Sequence, residues 1–140
     1  MTLRRALVST LVALALAVPV AAQQVGKTKT GEPTFDGQPL SAIIADLGAQ
    51  APLTRVSAAY ACAALGPSAK AAVPALLKNL EDENSAVRYS SALALGDIGP
   101  DASPAVETLR KLLDDRSDDV AHIARKSLKK ITGEAVPLPD

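Results

Sequence analysis

A chain of 140 residues with 15 basic and 15 acidic side chains carries no formal net charge at neutral pH, so it lacks the basic excess that neutralises nucleic-acid phosphates. Nearly half of it is hydrophobic, yet only 2% is aromatic; a core made of Ala, Leu, Val and Ile suits closely packed helices. The single cysteine, Cys62, excludes an internal disulfide, and the single histidine, His122, excludes a multi-histidine metal site.

Residues 1–22 read as a secretory signal peptide. Arg4 and Arg5 precede an uncharged run from Ala6 to Val20, and Val20-Ala21-Ala22 supplies small residues for cleavage before Gln23. Fifteen residues of helix would cover only about 22 Å, short of the ~30 Å hydrocarbon core of a bilayer. The expectation is an exported protein, periplasmic or extracellular, that begins at Gln23 and has no stable membrane insertion. Without Arg4 and Arg5 it holds 13 basic residues against 15 acidic ones. Residues 23–36, with Gly26, Lys27, Lys29, Gly31 and Pro33, read as a flexible leader, with Phe35 available to dock on the first helix pair. No stretch alternates with period two over a strand's length, so no sheet is expected.

From residue 37 onward the chain matches itself at a spacing of 33 residues: Gly66-Pro67 falls on Gly99-Pro100, Arg55 on Arg88, and Leu47 on Leu80 and Leu113. A fixed period in this range marks stacked supersecondary units. Each unit divides into two helices. In the first, the apolar columns are Leu40/Val73/Val106, Ile43/Leu76/Leu109 and Leu47/Leu80/Leu113, spaced i, i+3, i+7. In the second they are Thr54/Val87/Val120, Ala58/Ser91/Ala124, Cys62/Leu95/Leu128 and Leu65/Ile98/Ile131, spaced i, i+4, i+8, i+11. Second helices are expected to start at Pro52, Ser85 and Asp118, the last two behind the N-cap residues Asn84 and Ser117. Gly66, Gly99 and Gly133 close them. The units are about 37–66, 70–99 and 103–133, and residues 134–140 read as a loose tail. The fold expected is all-α, a short α-solenoid of three helix pairs.

The stretch AVPALLKNLEDENSAVRYSSALALGDIGP, from Ala72 to Pro100, resembles a bacterial HEAT repeat of the type also seen in phycobilisome-lyase-like proteins. The features that match are the Val-Pro-x-Leu-Leu opening, the turn aspartate, Val87-Arg88, and the Ala-Leu-Gly then Ile-Gly-Pro close. The likeness extends over roughly residues 37–133. The first unit has Gly48-Ala49-Gln50 in place of an acidic turn, and the third has Ala121 in place of the arginine. The resemblance implies second helices lining a concave surface, a turn aspartate paired with the arginine of a neighbouring repeat, and protein–protein interaction more often than catalysis.

No catalytic constellation stands out. Cys62 shares its column with Leu95 and Leu128 and reads as core. The acidic turns, Glu81-Asp82-Glu83 and Asp114-Asp115 with Asp118-Asp119, lack calcium-loop spacing. His122 is followed by Ile123, which departs from the His-Glu dipeptides that hold iron in deoxyhypusine hydroxylase, a HEAT-like enzyme. No cofactor and no metal is expected. The cluster Arg125, Lys126, Lys129 and Lys130 reads as the polar cap of a terminal repeat. On a helical wheel the side of the second helices opposite the core carries Val56, Tyr60 and Ala63, then Tyr89, Leu93 and Gly96. Val56, Tyr60, Tyr89, Leu93, His122 and Lys126 are therefore the candidate contacts of a protein partner. The expected function is an exported interaction or scaffold module; the alternative is an accessory or degenerate relative of a HEAT-repeat lyase without catalytic residues.

Overall fold

In the computed structural model, which describes residues 25–137, three helix pairs follow a small sheet. The expected signal peptide lies outside the described residues. The sheet is a three-stranded antiparallel meander, β1 (Val25–Lys27), β2 (Pro33–Phe35) and β3 (Gln38–Pro39), with Val25 opposite Phe35 and Phe35 opposite Gln38. The helices are α1 (Leu40–Asp46) with α2 (Pro52–Leu65), α3 (Val73–Asn79) with α4 (Ser85–Ile98), and α5 (Val106–Lys111) with α6 (Asp118–Thr132). The second helices α2, α4 and α6 lie side by side, and each first helix packs on the second helix of its own unit.

Over residues 25–36 the meander corrects the reading of a flexible leader, and it corrects that of a chain free of strands. Strands of two or three residues are too short to show a period of two. What forms them is local turn chemistry: Asp36 and Gly37, between β2 and β3, both have positive φ (50° and 78°), the backbone of a tight two-residue hairpin. The sheet then docks on the first unit. Glu32 Oε1 accepts the amide N–H of Ser41 at 2.7 Å and Gln38 Nε2 donates to Asp46 Oδ2 at 2.7 Å. Phe35 packs against the core as expected and, with Thr54, Ser57, Ala58 and Ala61 of α2, lines a small cavity of about 200 Å³. The equivalent residues of α4 (Val87, Ser90, Ser91, Ala94) are covered by α2 and buried. The meander does for the first helix pair what a preceding repeat would do.

The apolar columns form the core. Ile43, Leu76 and Leu109 are 0–1% exposed, as are Cys62, Leu95 and Leu128. Val106 and Leu113, in the last first-helix positions, are half-buried because no further unit follows in the described chain. Gly66, Gly99 and Gly133 take φ of 56°, 83° and 76° at the ends of the second helices, a region that side chains resist. Behind the first two, short 3-10 segments (Gly66–Ala72 and Gly99–Ala105) lead into α3 and α5. Asn84 caps α4 by accepting the N–H of Ala86 at 2.9 Å. Ser117 does not cap α6 with its side chain; Asp115 Oδ1 accepts the Ser117 N–H instead, at 2.9 Å. Val136 packs on the core, so the tail is tethered at that point.

Polar ties join each unit to the next. Arg55 lies on Asp82 (Nε to Oδ2, 2.9 Å) while its Nη1 donates to the carbonyls of Ala49 and Gln50. Arg88 repeats the pattern one unit on: Nε and Nη2 donate to Asp115 Oδ2 and Oδ1 at 2.9 and 2.8 Å, and Nη1 donates to the carbonyls of Asp82 and Glu83. The Arg88–Asp115 side chains are only 6% and 7% exposed, against 16% and 13% for Arg55–Asp82. Asn79 Nδ2 adds a bond to the Leu47 carbonyl (2.9 Å), and Arg116 Nη2 one to the Glu83 carbonyl (2.8 Å).

Two consequences are measurable. Leu95 is fully buried between α2 and α6 in the central unit, so Leu95→Ala should cost about 2–5 kcal/mol in denaturant melts, and Cys62→Ala, which removes only a sulfur, clearly less; a Leu95→Ala protein as stable as the parent would contradict the register. The hydrogen bonds from Arg88, helped by the Ser117 amide, hold the Asp115 carboxyl below its ordinary value, against the opposing effect of burial. A carboxyl depressed in the folded state contributes stability that is complete above the unfolded value and lost as pH falls through the folded one. Between about pH 5 and pH 2 the parent should therefore lose stability more steeply than Asp115→Asn; parallel pH curves would remove this role.

Candidate functional site

The second helices approach one another through small side chains. Gly96 faces Ser127: a Cβ on Gly96 would lie 2.5 Å from Ser127 Oγ and 2.9 Å from its Cα. Ser127 Oγ donates to the Ala92 carbonyl at 2.6 Å. This corrects the assignment of Gly96 to the open face; it is buried at the α4–α6 contact, and only a glycine fits there. Ala63, one repeat earlier, is half-buried and packs against the core, as Tyr89 and Leu93 also do in part. The two rows left on the outer side are Val56–Tyr89–His122 and Tyr60–Leu93–Lys126, each at one register across α2, α4 and α6. Val56, Tyr89 and Leu93 are half-buried, while Tyr60, His122 and Lys126 are exposed.

Three grooves divide these candidates. Tyr60 and Tyr89 share one of about 390 Å³ with Ser85, Ala86, Ser117, Asp119 and Val120. Leu93 and Lys126 line a second of about 370 Å³ with Ile123, Ser127, Lys129 and Lys130. His122 lies in a third of about 600 Å³ with Leu113, Asp115, Asp118, Asp119, Ala121 and Arg125. The first and third meet at Asp119. Val56 is brought into none of the three. Tyr89 also packs against the core, so it serves fold and face together, unlike Tyr60, which is 46% exposed. The periodicity places both tyrosines on one side, but it does not show how deeply Tyr89 sinks between helices.

A wider cleft along the turn edge, about 710 Å³, is lined by Arg55, Asn79 and Asp82 among others, side chains already committed to ties between units. Burial holds the Cys62 thiol neutral and pushes its pKa up to about 12, so it is inert as a nucleophile. Among the described residues no group of three or more His, Cys, Asp or Glu is placed to hold a metal ion, and no helix is long and apolar enough to cross a membrane.

Helix pairs stacked at a 33-residue period, each clasped to its neighbour and each burying its faces against the next, define a short α-solenoid. The family described as HEAT repeats matches residues 39–129, and the chain belongs to it. No curated protein matches the chain.

Proposed function

We propose that this HEAT-repeat chain is an exported protein–protein interaction module whose partner lies across α2, α4 and α6. HEAT repeats are commonly interaction modules, and stacked repeats offer a continuous surface broader than any one unit. The observation that carries the reading is the tyrosine groove. The chain has two tyrosines, they stand in adjacent repeats, and both line one groove. Tyrosine gives a large, rigid contact area at low cost in side-chain entropy, which is why it recurs at interface hot spots. Export rests on the charged, apolar and small-residue sequence of residues 1–22, and the capture below is made from the compartment it implies.

Tyr60 is the cleaner probe, because Tyr89 also packs on the core. Tyr60→Ala should melt with the parent and weaken capture of the partner from an extracytoplasmic extract by about 1–2 kcal/mol, read by quantitative mass spectrometry. Tyr89→Ala should lose capture and some thermal stability together. Equal retention of the same proteins by parent and Tyr60→Ala would refute the tyrosine face, and a native protein that retains Met1 at its N-terminus would refute processing and export.

A further inference from the structure

We infer that the groove between α4 and α6 seats an acidic segment of the partner protein, an extended stretch whose apolar side chain enters the groove while flanking carboxylates meet its lysines. The inference rests on reading the outer face of α2, α4 and α6 as the docking surface, and it names the chemistry of what docks there.

The row Tyr60–Leu93–Lys126 is not a repeated surface. It passes from aromatic to aliphatic to cationic across neighbouring helices that pack about 8–10 Å apart. Between its second and third positions Leu93 and the largely buried Ile123 supply an apolar lining, and Lys126, Lys129 and Lys130 line the same groove. Lys130 is anchored to Asp97 at 2.6 Å. Lys126 and Lys129 are exposed, and among the described residues neither lies within ion-pairing distance of a carboxylate.

Capping the stack explains only part of this. Lys129 stands where α4 has the buried Gly96, on the side that would meet a following unit, and a charge there keeps the end of the array soluble. Lys126 stands where α4 has Leu93, which is half-buried against the core and borders α6, so a polar side chain there also suits the end of the stack. Any polar residue would serve that cap, whereas Lys126 and Lys129 are both cations without a carboxylate partner among the described residues and both line one apolar-lined groove.

A protein segment fits this groove better than a bilayer. A groove of about 370 Å³ takes a side chain or two rather than a planar surface. Basic side chains near an anionic membrane each contribute weakly, and stable anchoring takes more than one such signal. Asp119, in the tyrosine groove on the same face, would also meet the membrane charge. A short segment in this groove meets Lys126 and Lys129, with Asp97 already neutralised by Lys130.

The test is fluorescence anisotropy of a labelled decapeptide of alternating glutamate and leucine, titrated with the purified protein. Two control peptides replace glutamate by glutamine or leucine by glycine. The glutamate–leucine peptide should bind, and the double variant Lys126→Gln/Lys129→Gln should bind it about fivefold to tenfold more weakly, the worth of two exposed ion pairs. Lys70→Gln, at an exposed lysine on the corner before α3, should leave binding unchanged. The deficit of the double variant should shrink as salt rises from about 0.1 M to about 1 M. Both control peptides should bind the parent less well than the glutamate–leucine peptide does. Absence of binding, equal binding by the double variant, or equal binding of the glutamine peptide each overturns the inference. Preferential binding to phosphatidylserine-containing vesicles overturns it in favour of a lipid surface. If the peptide fails while Tyr60→Ala still loses partner capture, the docking face stands and only its acidic ligand falls; if Tyr60→Ala also retains the partner, the face falls too.

Discussion

The stack depends on the buried clasp between Arg88 and Asp115. Its guanidinium does two jobs at once: Nε and Nη2 grip the carboxylate of the following unit, and Nη1 ties the carbonyls of its own turn. A bidentate charge-assisted pair has a narrow geometry, so the clasp fixes both the shape of one turn and the distance to the next. Burial raises the stakes. Removing one partner of such a pair leaves the other charge in an apolar setting, which costs far more than an exposed ion pair is worth. The same motif at Arg55 and Asp82 is more exposed and does the same work between the first and second units.

Sequence distance shows how regular this arrangement is. The inter-unit ties from Arg55, Asn79, Arg88, Arg116, Ser127 and Lys130 span 27 to 35 residues, about one repeat each. The clasp is also finite. The first turn has Ala49 where Asp82 and Asp115 stand later, and α6 has Ala121 where Arg55 and Arg88 stand earlier. No ladder arginine or aspartate is therefore left over at either end. The meander covers α2 on one side, and Arg125 and Lys129 replace the small Ala92 and Gly96 on the other. Units clasped in this way hold the outer faces of α2, α4 and α6 in register, which is the precondition for two tyrosines to share a groove and for two lysines to line another.

Much of this is legible in the residues. A 33-residue period and two helical spacings locate the second helices, their glycine ends and nearly every core position, because burial in a solenoid repeats with the sequence. The clasp comes from resemblance rather than spacing, since a period can align Arg55 with Arg88 but does not reveal what either touches. The meander escapes a reading by period although Asp36-Gly37 is a recognised hairpin signal; beside Gly31, Pro33 and Pro39 it looks like one more loop. Gly96 is misplaced for a different reason. A wheel assigns faces by angle, and the close approach of α4 to α6 brings Ser127 over a position that the angle alone leaves open. Tyr89 is likewise half-buried against the core, which the angle alone does not show. What covers a face is a property of two helices, and one helix's sequence does not state it.

Whether the Arg88–Asp115 clasp couples the second and third units is decided by a double-mutant cycle. Unfolding free energies of Arg88→Met, Asp115→Asn and the double variant would be compared with the parent at neutral pH. A coupling of about 1–3 kcal/mol is expected, within the range for residues joined in one network. Single-variant losses that simply add, within about 0.5 kcal/mol, would show that the two residues act independently and that the stack is held by its apolar columns alone.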